Sequence, residues 1–97
     1  MSAEFTIPAD HPALPGHFPG RPLVPAVLML DAALRAVGAD RPGVRVITAR
    51  FTAPLEPAQT LTLEWDPAPS DVVTIRGRIG AVPALRVRIR PPPDGSG

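Results

Sequence analysis

Fifteen prolines in ninety-seven residues constrain this chain more than any other feature. Each fixes φ and removes a backbone donor, so a helix interior or a central strand tolerates none cheaply. With eight glycines they approach the composition of disordered chains. They fall mostly between patterned segments, however, which predicts fixed turns instead of a floppy polymer. Six of them fall in the stretch from Pro8 to Pro25, both ends included. They predict a long kinked loop over Ala9 to Pro22. Loops of that length without regular structure are functional or disordered, and Leu14 and Phe18 favour function.

The segments between the prolines carry clear periods. Ala3 to Pro8 alternates weakly, with Phe5 and Ile7 on one side, and reads as a short first strand. Val27 to Val37 tolerates helix throughout. Pro25 suits its first turn and Gly38 its C′ position. Apolar residues occupy every face of this segment, which predicts a helix buried on all sides. One sheet cannot wrap a short helix completely, so a partner subunit is expected near its other side. Ala39 to Gly43 reads as a turn and Val44 to Phe51 as the next strand. Leu61, Leu63 and Trp65 then alternate with polar residues, as do Val73, Ile75, Gly77 and Ile79, and finally Leu85, Val87 and Ile89. Each such run predicts a strand with one buried face. The expectation is an α+β single domain over residues 1–90: an antiparallel sheet wrapped around one central buried helix. Residues 91–97 are expected to form a disordered tail.

Bulk composition excludes several classes. A chain this short has a marginal core, and without cysteine no disulfide or thiolate metal site can supplement it. Association with a second subunit is the remaining easy route to further burial. Net charge is +1, so nothing overall points to nucleic acid. All ten basic residues are arginine. No basic segment followed by an apolar run opens the chain, and the apolar stretch is too short to span a bilayer. The default expectation is a soluble, cytoplasmic protein with no membrane partner. Two histidines and no carboxylate at a matching spacing make no metal constellation. Neither a GxxxxGK loop nor a GxSxG elbow occurs.

The chemistry concentrates in Gly16 to Asp31, GHFPGRPLVPAVLMLD. His17, in a loop tight with glycine and proline, can take and return a proton near physiological pH. Asp31 is the only acid inside the most apolar run and lies about 9 Å along the helix axis from Pro25. Apolar neighbours at Leu28, Met29, Leu30 and Leu34 would let its carboxyl group hold a proton near neutral pH. The plainer alternative is an i,i+4 pair with Arg35 on an exposed helical edge. Leu23 and Val24 offer no side-chain cap, so the first amides of the helix are available to a carbonyl oxygen that becomes an oxyanion. Base, acid and oxyanion donor together suit proton abstraction beside a carbonyl with loss of a β-hydroxyl.

This segment resembles the active-site stretch of hotdog-fold 3-hydroxyacyl-[acyl-carrier-protein] dehydratases. These are the enzymes of bacterial type II fatty acid synthesis and the small dehydratases of aryl polyene clusters. The order agrees: HFPG, a basic residue and proline, a second proline opening the helix, then the acid. Phe51, Pro54, Leu55, Pro57 and Gln59 resemble the family's following strand and turn. The resemblance implies a hotdog domain whose dimers join sheets edge to edge, each site drawing its histidine from one subunit and its acid from the other. It implies His17 as base and Asp31 as acid. Phe18, Gly20, Pro25, Ala26 and Val27 would meet the substrate, with amides near Ala26 and Val27 on the thioester carbonyl. It implies an acyl carrier protein met by Arg21, a homodimer or a heterodimer with another hotdog subunit, and no cofactor.

Two departures keep other readings open. Ala26 stands where the family usually has glycine, and Arg35 where many members have glutamine. Arg35 would favour the ionised form of Asp31, which works against a general acid. A non-catalytic hotdog partner or acyl-binding subunit, and after it a hotdog thioesterase, are the alternatives. Arg86, Arg88 and Arg90 form a stripe that reads first as a solvated strand face and second as a further carrier-protein contact. His11, beside Asp10 in a loop start, reads as structural.

Overall fold

The computed structural model describes residues 1–7, 24–66 and 71–92. Five strands and one helix follow the order β1 (Ser2–Thr6), α1 (Ala26–Ala36), β2 (Arg45–Phe51), β3 (Thr60–Trp65), β4 (Val73–Ile79) and β5 (Val82–Arg90). All pairings are antiparallel, in the spatial order β1-β3-β4-β5-β2. β1 and β2 are therefore the two edges, and the chain passes from one to the other by way of α1. The expected α+β class holds. The expected loop over Ala9 to Pro22, and residues 93–97 of the expected tail, lie outside the described residues. Pro92 itself is buried, two residues past the last strand.

The alternation read from the sequence sets which residues face the helix. Leu61 and Leu63 of β3, Ile75 of β4 and Leu85, Val87 and Ile89 of β5 are buried against Met29, Ala32 and Ala33 of α1. Leu55, from the turn between β2 and β3, is fully buried and fills the same core. Opposed apolar faces of this kind supply the main driving force for a small domain.

β5 begins at Val82, three residues ahead of the alternation that Leu85 opens. A register shift explains the difference. Gly77 faces Leu85 while Arg78 faces Pro83, so Ala84 is an extra residue between them. Ala84 and Leu85 are consequently both buried, and simple alternation fails at that point. Pro83 is tolerated because the bulge relieves it of a ladder bond. The Ala84 carbonyl accepts from the Thr52 amide at 2.8 Å.

α1 ends as expected. Gly38 takes φ +71°, its N–H donates to the Arg35 carbonyl, and the Ala39 N–H donates to that of Leu34. This is a Schellman closure, with Ala39 buried beneath it. Pro25 sits at the N-cap, one position earlier than expected.

The helix is not enclosed on all sides within one chain. A turn of 3.6 residues places Val27, Asp31 and Arg35 on one stripe and Met29, Ala32 and Ala33 on another. Only the second stripe is buried; Val27 is 68% exposed. Along β2 every residue is exposed, including Val46 and Ile47, each 43% accessible, and Phe51.

Candidate active site

Two backbone bonds tie the turn after β2 to the start of α1 and to the end of β1. The Val24 N–H donates to the Leu55 carbonyl at 2.8 Å, and the Ala58 N–H donates to the Ile7 carbonyl at 2.8 Å. Buried Leu55 thus anchors the turn after β2, and that turn holds both the entry to the helix and the end of β1. Ala58 adopts φ 70° to make its bond. The Glu56 amide donates to Gln59 Oε1, closing the turn from inside.

At the N-cap, Pro25 supplies no side-chain acceptor, and no acidic residue lies in the first turn. The Pro25 carbonyl is taken by the Leu28 N–H at 3.0 Å. The amides of Ala26 and Val27 have no hydrogen-bond partner among the described residues. They open at the positive end of the helix dipole, where a developing negative charge is stabilised. Beside them lies an open cup of about 280 Å³, lined by Val24, Ala26, Met29, Phe51, Thr52, Ala53 and Pro54. Its wall is mainly apolar, which suits an acyl group near a polar thioester head.

Asp31 departs from the expected apolar setting. Its side chain is 49% exposed, and Arg35 Nε donates to its Oδ2 at 2.8 Å. The i,i+4 alternative is therefore what the single chain adopts. The cause is angular: Leu28, Leu30 and Leu34 are its neighbours in sequence, but Asp31 points along the open stripe with Val27 and Arg35. Asp31 also borders a shallow groove of about 410 Å³ against Ala3, Glu4 and Phe5 of β1.

Of the residues singled out from the sequence, Pro25, Ala26, Val27 and Asp31 stand together on the first two turns of α1. His17, Phe18, Gly20 and Arg21 lie outside the described residues. Among the described residues no cluster of three or more histidine, cysteine or acidic side chains could hold a metal ion, and no helix is long and apolar enough to cross a membrane. Sequence reasoning missed Phe51 and Thr52 as walls of the cup. The available signal was an aromatic closing a strand just ahead of the Pro54 turn.

Comparison with known proteins fits this layout. Over 78 residues the chain is 36% identical to the 3-hydroxyacyl-[acyl-carrier-protein] dehydratase FabZ of Paracidovorax citrulli, covering 66% of this chain and 53% of that protein. It is 42% identical over 69 residues to FabZ of Thermus thermophilus, covering 59% and 49%. The chain thus spans about half the length of the curated relatives it matches. Among solved structures, a chain of the dehydratase heterocomplex ApeI:P from Xenorhabdus doucetiae superposes with a TM-score of 0.70 at 24% identity, covering 92% of this chain and 83% of that one. The fluoroacetyl-CoA-specific thioesterase FlK, as its F36A mutant, gives 0.59 at 15% identity over 93% and 86%. These two likenesses establish the hotdog fold. The family model described as ApeI dehydratase matches residues 1–76, from β1 into β4, and on that match the chain belongs to the ApeI-like dehydratase family.

Proposed function

We propose that this chain dehydrates a 3-hydroxyacyl thioester carried on an acyl carrier protein, giving the trans-2-enoyl thioester. The observation that carries the reading is the juxtaposition on α1 of uncapped first-turn amides and, one turn on from Val27, the Asp31 carboxylate. The family match and the FabZ relatives support the same chemistry.

In this reading the thioester carbonyl lies against the Ala26 and Val27 amides. Those donors stabilise the enolate oxygen that forms when a base removes the proton at C2. His17 is that base. The carbon–oxygen bond at C3 then breaks, Asp31 delivers a proton to the departing hydroxyl, and water leaves. The histidinium then passes its proton to the Asp31 carboxylate, directly or through water, and the cycle closes without an added reagent. The acyl chain occupies the apolar cup beside Met29 and Phe51, and Phe18 and Gly20 take part in substrate binding. Arg21 meets the acidic carrier protein.

The exposed stripe of α1 and the fully exposed edge strand β2 support a second hotdog subunit, identical or different, paired edge to edge through β2. Its approach covers Val27 and Asp31 and brings its own His17 to the acid. The family match and the FabZ relatives support an aryl polyene or fatty acid setting, and the cup does not choose between them.

One observation favours a second reading. The bond from Arg35 Nε to Asp31 Oδ2 holds the carboxyl group turned along the helix. A non-catalytic subunit that completes the fold of an active partner would tolerate this arrangement.

The experiment is hydration of a trans-2-enoyl thioester on carrier protein or its pantetheine mimic, followed by loss of enoyl absorbance, with free thiol release measured in parallel. Activity in the wild type, its loss in His17→Ala and in Asp31→Asn, and partial recovery when the two variants are co-expressed are expected. An inert wild type that becomes active only with a second subunit would establish the partner reading. Thiol release without hydration would replace both with a thioesterase.

A further inference from the structure

The face of the sheet turned away from α1 carries seven of the nine arginines among the described residues. Strand pairing brings together residues that are far apart in sequence. Arg50 of β2 faces Arg86 of β5, and Arg86 faces Arg76 of β4. One step along, Thr48 faces Arg88, which faces Thr74. Beyond that Arg45 faces Arg90. Side chains directly opposite one another stand about 5 Å apart, and like charges so placed repel. A row of three facing guanidinium groups is an arrangement a fold alone does not favour.

The field is not uniform. Towards β3, Glu64 faces Arg76 and forms an ion pair with Arg78 at 2.9 Å. Towards β2 no carboxylate compensates among the described residues. There Arg50, Arg86 and Arg88, with Thr48, Thr52, Pro83 and Leu85, line a concavity of about 400 Å³. None of the three arginines makes an ion pair or hydrogen bond among the described residues. Thr52 Oγ1 donates to the Pro83 carbonyl and stiffens the floor, while the Thr48 hydroxyl has no partner among the described residues. Planar guanidinium forks around one hydroxyl donor match the tetrahedral oxygens of phosphate, which accept bidentate bonds. The volume is that of a small-molecule site. Among the described residues no aromatic side chain lines it, so these offer a nucleobase nothing to stack on.

From this geometry we infer that the outer face between β2 and β5 binds a diphosphate group, held by Arg50, Arg86 and Arg88 with Thr48. The site lies on the side of the sheet opposite the Asp31 helix and goes beyond the proposed dehydration. Arg86 is its centre, because it faces Arg50 on one side and Arg76 on the other. A bound diphosphate relieves the repulsion in that row.

The test is isothermal titration of the full chain at fixed ionic strength with sodium pyrophosphate, ADP and citrate. Pyrophosphate and ADP should bind one per chain, with affinities within about threefold of each other, and citrate at least about tenfold more weakly. That pattern assigns the diphosphate itself as the recognised group. Much tighter binding of ADP would instead show that the nucleoside is read and would overturn the assignment. Arg86→Gln should weaken pyrophosphate about tenfold or more, Arg86→Lys by less, and Arg41→Gln, in a distant turn, not at all. Without ligand, Arg86→Gln should melt no lower than the wild type, since it removes a repulsive pair. Absence of pyrophosphate binding, equal binding of citrate, or full affinity in a folded Arg86→Gln protein would each sink the proposal.

Discussion

Arg35 Nε donates to Asp31 Oδ2 across 2.8 Å on a solvent-exposed edge of the helix, so the candidate acid and a cation share one stripe of α1. An exposed i,i+4 ion pair contributes about 0.3–0.5 kcal/mol. Asp31→Asn is therefore expected to shift the urea unfolding free energy by no more than about 0.5 kcal/mol. Enoyl hydration should fall by about a hundredfold or more, the scale of a lost general acid. Arg35→Gln frees the carboxylate and should leave the rate at least as high as in the wild type. A large fall in the stability of Asp31→Asn would mean the residue serves the fold.

Gly77 shows how closely two strands and their side chains approach. A Cβ built there would lie 2.7 Å from Leu85 Cγ and 3.1 Å from Leu61 Cδ1. Both leucines are buried. Gly77→Ala should therefore destabilise the domain by about 1–3 kcal/mol through overpacking. Chemical denaturation of Gly77→Ala, Leu85→Val and the double variant should show coupling of about 0.5 kcal/mol or more in the relieving direction.

Gly38 supplies the contrasting case. Nothing lies within 4 Å of a Cβ built there, yet its φ is +71°. The cost of Gly38→Ala is then conformational alone, about 1 kcal/mol, and Gly38→Asn should recover part of it. Thermal melts of the two variants separate backbone strain at Gly38 from crowding at Gly77.

These two glycines also mark what the sequence can and cannot disclose. Gly38 was legible as a helix stop because a Schellman closure is local, set by Leu34 to Ala39. Strands β3 and β4 were legible because alternation of Leu61, Leu63 and Trp65, or of Ile75 and Ile79, needs no knowledge of partners. The start of β5 was not, since the Ala84 bulge breaks the period that announced it. The exposure of Asp31 was hidden by leucines that are its neighbours in sequence but not on its stripe. Likewise, the stripe of Arg86, Arg88 and Arg90 gave no sign that Arg50 and Arg76 stand beside it. Only the register of β2, β5 and β4 brings them together. The amides of Ala26 and Val27 were foreseeable from the uncapped sequence ahead of them. The cup was not, because Phe51 and Thr52 reach it through the turn that Leu55 anchors.

The edge strand β2 carries the last prediction. All seven of its residues are exposed, and Val46, Ile47 and Phe51 are large apolar groups on an unpaired edge. Such an edge invites pairing with another chain, and an inserted charge is how natural proteins block it. Val46→Lys with Ile47→Lys should therefore reduce the sedimentation mass from a two-subunit assembly to a single chain. The chain should still fold, because neither side chain belongs to the buried core. Enoyl hydration should vanish in step with the dimer, since each proposed site needs His17 from one subunit and Asp31 from the other. A monomer that kept full activity would place base and acid within one chain and remove the shared site. If the wild type sediments as a monomer and gains both mass and activity with a different hotdog subunit, β2 is the edge that partner occupies, and the same two lysines should prevent its binding.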